Sequence, residues 1–169
     1  DIEIPNFFQF IPDNIKNTEC VKVIKYLYSR GLDETDIWRY RIGFATNPLR
    51  VIFPSFTAKG RMNYWVSRIL EKSHMKYMVP HIPKNLVIFN ECNIRWNENI
   101  ILCEGVFDAI KCGSNAIPLL GSATPNLRKQ DVLFNHMVDL RPPKVILCLD
   151  NDPVGLSATR KIAQLLIES

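Results

Sequence analysis

No apolar run in this 169-residue chain approaches the ~18 residues that a membrane-spanning helix needs, so a helical membrane anchor is excluded. The first residues, Asp1-Ile2-Glu3-Ile4-Pro5, are acidic and do not read as a secretory leader, which needs a basic start and an apolar stretch. The five cysteines (Cys20, Cys92, Cys103, Cys112 and Cys148) include no CxxC pair, and His74, His81 and His136 complete no zinc-ligand pattern. An odd cysteine count without a framework fits a reducing compartment, so the expected location is cytoplasm. Cys103 and Cys148 lie inside apolar runs, where cysteine is expected to act as a small buried hydrophobe. Neither a Walker loop nor a GxGxxG is present. What remains is a core-forming composition, 47% AVILMFWYC and 22% charged, which excludes a disordered or low-complexity chain.

The charge is unevenly spread. Residues 39–84 hold nine basic side chains and one acid, Glu71, a net of +8, whereas residues 96–169 come to −1. The basic stretch is interleaved with Tyr40, Phe53, Phe56, Tyr64, Trp65 and Tyr77. Cations that neutralise phosphate and rings that stack bases are what single-stranded nucleic acid needs. From charge alone, a solvated face over an aromatic core is an equal reading.

The front half reads as a small α+β unit. Thr18 caps a helix whose apolar face is Val21, Ile24, Leu27 and Tyr28, ending at Gly31. Residues 33–40 form a second short helix. Residues 50–55 and 61–70 read as strands joined by a turn at Lys59-Gly60, and residues 76–85 as irregular. After Asn99 the pattern changes. Residues 100–103, 116–120 and 145–149 are continuous apolar runs, which suggest parallel strands buried on both faces. Segments 107–112, 126–138 and 153–168 have helical length between and after them, giving a βαβαβα order and an open α/β sheet. The expected division is residues 1–95 and 96–169. In such sheets ligands bind beyond the carboxyl ends of the strands.

Four acids fall at those ends. Glu104 follows the first run directly, Gly105 allows a sharp turn, and Asp108 lies one helical turn on. Asp150 follows the third run, and Asp152 precedes Pro153, a good first helical residue, with Gly155 leaving room for a close backbone approach. Singly, Asp152 reads as a helix cap and Asp108 as a complement to the helix dipole. Together they are costly, since two unit charges ~5 Å apart repel by roughly 3 kcal/mol at an effective dielectric near 20. A hard divalent cation reverses that sign, and an all-oxygen donor set favours magnesium or manganese over zinc.

The residues Glu104-Gly105-Val106-Phe107-Asp108-Ala109, Leu120-Gly121-Ser122 and Leu149-Asp150-Asn151-Asp152-Pro153-Val154-Gly155 resemble the Toprim domain, shared by bacterial-type primases, some topoisomerases, recombination mediators and certain nucleases. Tyr40-Arg41-Ile42-Gly43-Phe44-Ala45, Arg50-Val51-Ile52-Phe53-Pro54, Gly60-Arg61, Ser67-Arg68, Lys76-Tyr77-Met78-Val79 and Lys84 are similar to the basic subdomain that precedes Toprim in bacterial-type and phage primases. Val79 stands where that family usually has asparagine, and Asn90 where it has glycine.

This resemblance implies a basic α+β subdomain followed by a Toprim-type, mostly parallel sheet, cut short within the last helix. It implies the RNA-polymerase core of a replicative primase, making short RNA primers on single-stranded DNA from ribonucleoside triphosphates, with a replicative helicase as partner, in the nucleoid or in phage-infected cytoplasm. Glu104 is then the general base or a water-mediated ligand, and Asp108, Asp150 and Asp152 hold Mg²⁺ or Mn²⁺. Arg50, Arg61, Arg68, Lys76, Tyr77 and Lys84 bind template or triphosphate, while Gly105, Gly121 and Gly155 shape the backbone. A Toprim phosphodiesterase that cleaves with the same acids, and a non-catalytic single-strand-binding module, are the alternatives.

Overall fold

A computed structural model describes residues 2, 6–71, 76–120 and 125–169. The chain divides into two compact units, Asp1–Ile82 and Pro83–Ser169.

The first unit is built on one antiparallel sheet. It comprises β1 (Gln9–Phe10), α1 (Thr18–Ser29), α2 (Glu34–Arg39), β2 (Gly43–Thr46), β3 (Leu49–Phe56), β4 (Met62–Ile69) and β5 (Tyr77–Met78), with the strands in sequence order. The cap of α1 is Asn17 rather than Thr18. Asn17 is extended, and its side-chain oxygen accepts from the amides of Glu19 at 2.8 Å and Cys20 at 3.2 Å, which makes Thr18 the first helical residue. α2 starts in a capping box: the Asp33 carboxylate takes the Asp36 amide at 3.0 Å and the Asp36 carboxylate takes the Asp33 amide at 3.1 Å. β3 runs through the core, with Val51, Ile52 and Phe53 almost fully buried. It pairs with β4 across a turn at Gly60, whose φ of +75° suits glycine. Within the segment expected to be irregular, β5 adds a short edge strand, pairing Tyr77 with Arg68 and Met78 with Ser67.

The second unit holds β6 (Ile100–Cys103), α3 (Val106–Cys112), β7 (Ala116–Pro118), α4 (Val132–Leu140), β8 (Val145–Cys148) and α5 (Pro153–Ile167). The strands are parallel in the order β7-β6-β8, so β6 is central. Ile100, Leu102, Ile117 and Leu119 pack with Leu133, Phe134 and Met137 of α4 and Ile162 of α5. Cys103, Ala109, Ala116 and Ile101 form a smaller cluster where α3 meets β6 and β7.

Three expectations change here. β8 is not buried on both faces: Val145 and Leu147 pack on the main core, but Ile146 (44% exposed) and Cys148 face outward, because α3 packs on β6 and β7. Cys148 is therefore no buried hydrophobe. The helix expected from 126 starts at Val132, since the Asp131 carboxylate accepts the Arg128 amide at 2.9 Å and turns the chain there. Residues 83–95, expected in the first unit, compact with the second. Ile88 and Ile94 join its core, and His136 of α4 lies 3.6 Å from the Glu91 carboxylate. Within that segment Asn90 has φ +53°, the left-handed region that suits glycine and that asparagine tolerates best among other residues. Among the described residues, no helix is long and apolar enough to cross a membrane.

Candidate metal centre and nucleic-acid surface

The parallel pairing of β6 with β8 sets Cys103 beside Cys148, so the residues that follow, Glu104 and then Asp150, leave the sheet at the same edge. The backbone amide of Asp150 points at the Glu104 carboxylate, 3.5 Å away. Burial pushes the Glu104 carboxyl above the ordinary carboxylate range; the Asp150 amide opposes that shift, while the charges of Asp150, Asp152 and Asp108 add to it. The four acids therefore share one electrostatic environment.

They do not hold one geometry. Asp108 and Asp150 are exposed, and Asp108 sits in the first turn of α3, its carboxylate folded back so that a Cβ on Gly105 would lie 3.3 Å from it. Gly105 itself is extended, with φ −122°, a conformation open to any residue. Asp152 caps α5, accepting the Gly155 amide at 2.7 Å through one oxygen. Gly155 is where space is decisive, since a Cβ there would meet the Asp150 carbonyl oxygen at 2.0 Å. Gly121 lies outside the described residues. Among the described residues, no three of these acids bring carboxylate oxygens within 4.8 Å of one another; the group that close is Cys103, Cys112 and Cys148. The acids fit a hard cation by chemistry, being oxygen-only and mutually repelling.

Five of the six expected template or triphosphate residues belong to the first unit, and they differ in access. Arg61, Lys76 and Tyr77 are exposed. Arg68, half-buried, stacks its guanidinium over the Tyr77 ring at 4.9 Å and donates to the Tyr77 hydroxyl, so β4 and β5 present the pair as one platform. Arg50, with Cα partners Ala45 and Ile69 on the flanking strands, is only 6% exposed, and burial lowers its pKa.

Lys84 lies in the second unit. It lines a cavity of about 210 Å³ with Arg128, Gln130 and Asp131, near the carboxyl end of β7 at Pro118 and Leu119. Burial lowers the Lys84 pKa, opposed by Asp131 and reinforced by Arg128. The cavity was hidden in the sequence because residues 126–130 pattern as helix; Arg128 beside Lys84 is the signal that pairing in space reveals.

Residues 101–169 match the model of the Toprim-like family. The chain is 29% identical to a DNA primase of Campylobacter jejuni across 219 aligned positions, covering 96% of this chain and 34% of that protein. It superposes on the primase of Aquifex aeolicus (zinc-binding and RNA polymerase domains) with a TM-score of 0.69 at 20% identity, covering 90% of this chain and 48% of that one. On a DnaG primase catalytic domain bound to single-stranded DNA the TM-score is 0.68 at 21% identity, covering 92% and 61%. The fold is that of a DnaG-type primase core. The chain spans about a third of the length of the curated relative it matches.

Proposed function

We propose that this chain carries part of the RNA-polymerase core of a DNA primase, which makes short RNA primers on single-stranded DNA from ribonucleoside triphosphates. The observation that carries this reading is the pairing of Glu104 and Asp150 at the carboxyl ends of adjacent parallel strands, in a Toprim-like unit preceded by a cationic antiparallel sheet. The Campylobacter jejuni relative and the single-strand complex of a similar fold support the substrate class.

Asp108 and Asp150, exposed at the edge, and the second oxygen of Asp152 are the residues that would hold Mg²⁺ or Mn²⁺. When bound, the ion supplies a lowered pKa for the attacking hydroxyl and neutralises phosphate charge. Glu104, with its raised pKa, accepts the proton of that hydroxyl. Arg61, Lys76 and the Arg68–Tyr77 platform hold template phosphates and a base, and Lys84, which shares a cavity with Arg128, binds a triphosphate. Arg50 supports the sheet rather than the ligand. A cytoplasmic location and a replicative helicase as partner belong to the same reading.

The test is incubation of labelled ribonucleoside triphosphates with single-stranded template and Mg²⁺ or Mn²⁺, using the full-length protein. Template-dependent RNA of short length is the expected product. Cleavage of DNA or RNA with metal alone, and no synthesis, would assign the same acids to a phosphodiesterase. Binding without either would leave a single-strand-binding module.

A further inference from the structure

The geometry points to a second cation site in the Pro83–Ser169 unit, for a zinc-class ion bound by the thiols of Cys103, Cys112 and Cys148. Their sulfurs all lie within 4.8 Å of one another, and the Cys112 and Cys148 sulfurs are 4.0 Å apart. Tetrahedral zinc with Zn–S bonds of ~2.3 Å places its sulfurs ~3.8 Å apart, so small side-chain adjustments suffice. All three residues are free cysteines.

The placement is built by the fold. Cys103 and Cys148 are register partners at the ends of β6 and β8, and Cys112 ends α3, whose next residue, Gly113, turns the chain away at φ +113°. Packing alone does not account for the cluster. Cysteine acting as a small hydrophobe is buried, and only Cys103 is; Cys112 and Cys148 are exposed. A buried floor with two accessible walls gives a metal an entry path and leaves a fourth position for water or an external ligand, as in open zinc sites. Sulfur donors separate this site chemically from the oxygen-only edge, although Cys103 precedes Glu104 directly and Cys148 lies two residues before Asp150. The assignment is independent of the primase reading.

Cobalt is the probe, because thiolate-bound Co²⁺ absorbs by charge transfer and reports sulfur ligation directly. The reduced protein should show this absorption on titration with Co²⁺, releasing protons as thiols ionise, and lose it to Zn²⁺ but not to excess Mg²⁺. The double variant Cys112→Ser/Cys148→Ser should bind one equivalent less. Both side chains are exposed, so circular dichroism should match the parent. Cys148→Ser alone should weaken binding by more than the ~10–100-fold typical of losing an outer-shell partner. Cys20→Ser and Cys92→Ser should change nothing. Equal cobalt uptake and absorption in the parent and the double variant would overturn the site. So would a reduced parent that shows no thiolate absorption and instead, with hydrogen peroxide, joins Cys112 to Cys148, two thiols giving one disulfide and peroxide two waters.

Discussion

The two units place polar chemistry by different means. In the antiparallel unit the cations are spread along strands and turns, and their availability depends on which way each residue faces. Arg50 on β3 is enclosed, while Arg68 on β4 reaches the edge and is braced by Tyr77. In the parallel unit every strand points the same way, so the residues after β6 and β8 emerge together, and Glu104 meets Asp150 from 46 residues away. A parallel sheet gathers charge at one edge, and an antiparallel sheet distributes it. Gathering suits a metal; distribution suits an extended polyanion.

That contrast breaks first at Glu104. Glu104→Gln keeps shape but cannot take a proton, and primer synthesis by the full-length protein should fall by roughly 10²–10⁴-fold with template affinity unchanged. Synthesis near the parent level would move the proton acceptor elsewhere. The distributed half is tested by salt. If about four phosphates are engaged, log affinity for a single strand should fall against log salt with a slope near −3, roughly fiftyfold between 50 and 200 mM. Arg68→Ala should reduce that slope by ~0.7 while Arg50→Lys leaves it alone. A flat response would leave the +8 stretch as ordinary surface.

Much of this contrast is legible in the sequence, for physical reasons. The runs at 100–103 and 145–149 are short, apolar and followed by acids, and strand ends followed by glycine or proline punctuate a parallel sheet. Distance is what the sequence hides. It placed four acids at one edge, yet Asp152 spends an oxygen on its own helix and Asp108 bends back toward Gly105. It read Cys103 correctly as core but treated Cys148 the same way, because an apolar run does not reveal that α3 leaves β8 uncovered. The burial of Arg50 is equally invisible, because charge says nothing about facing. Asn90, where glycine is expected, takes a left-handed backbone that its identity alone does not announce.

Smaller effects sharpen the edge itself. Gly155→Ala puts a Cβ 2.0 Å from the Asp150 carbonyl oxygen, so α5 must shift at a cost of about 1–3 kcal/mol, read as a lower midpoint in chemical denaturation. A rise in stability, as helix propensity alone would give, would deny the close approach. The smallest effect is in pH. Because the Glu104 carboxyl is raised in the folded protein, the native state holds its proton more tightly than the unfolded chain. Stability of the metal-free protein should therefore fall as pH rises from the ordinary carboxylate range through the raised value, and Glu104→Gln should flatten that decline. An unchanged profile in the variant would mean that Glu104 is not strained by its neighbours.

The most direct measurement compares Asp150→Asn with the parent in one primer-synthesis assay, at a template concentration that saturates both. The substitution removes a charge from the gathered edge and leaves the distributed cations untouched. Loss of RNA product, together with loss of any Mg²⁺-dependent rise in melting temperature and unchanged single-strand affinity, is the result expected of a metal-holding edge. Full synthesis by Asp150→Asn, or loss of template binding in step with synthesis, would contradict the division of labour between the two units.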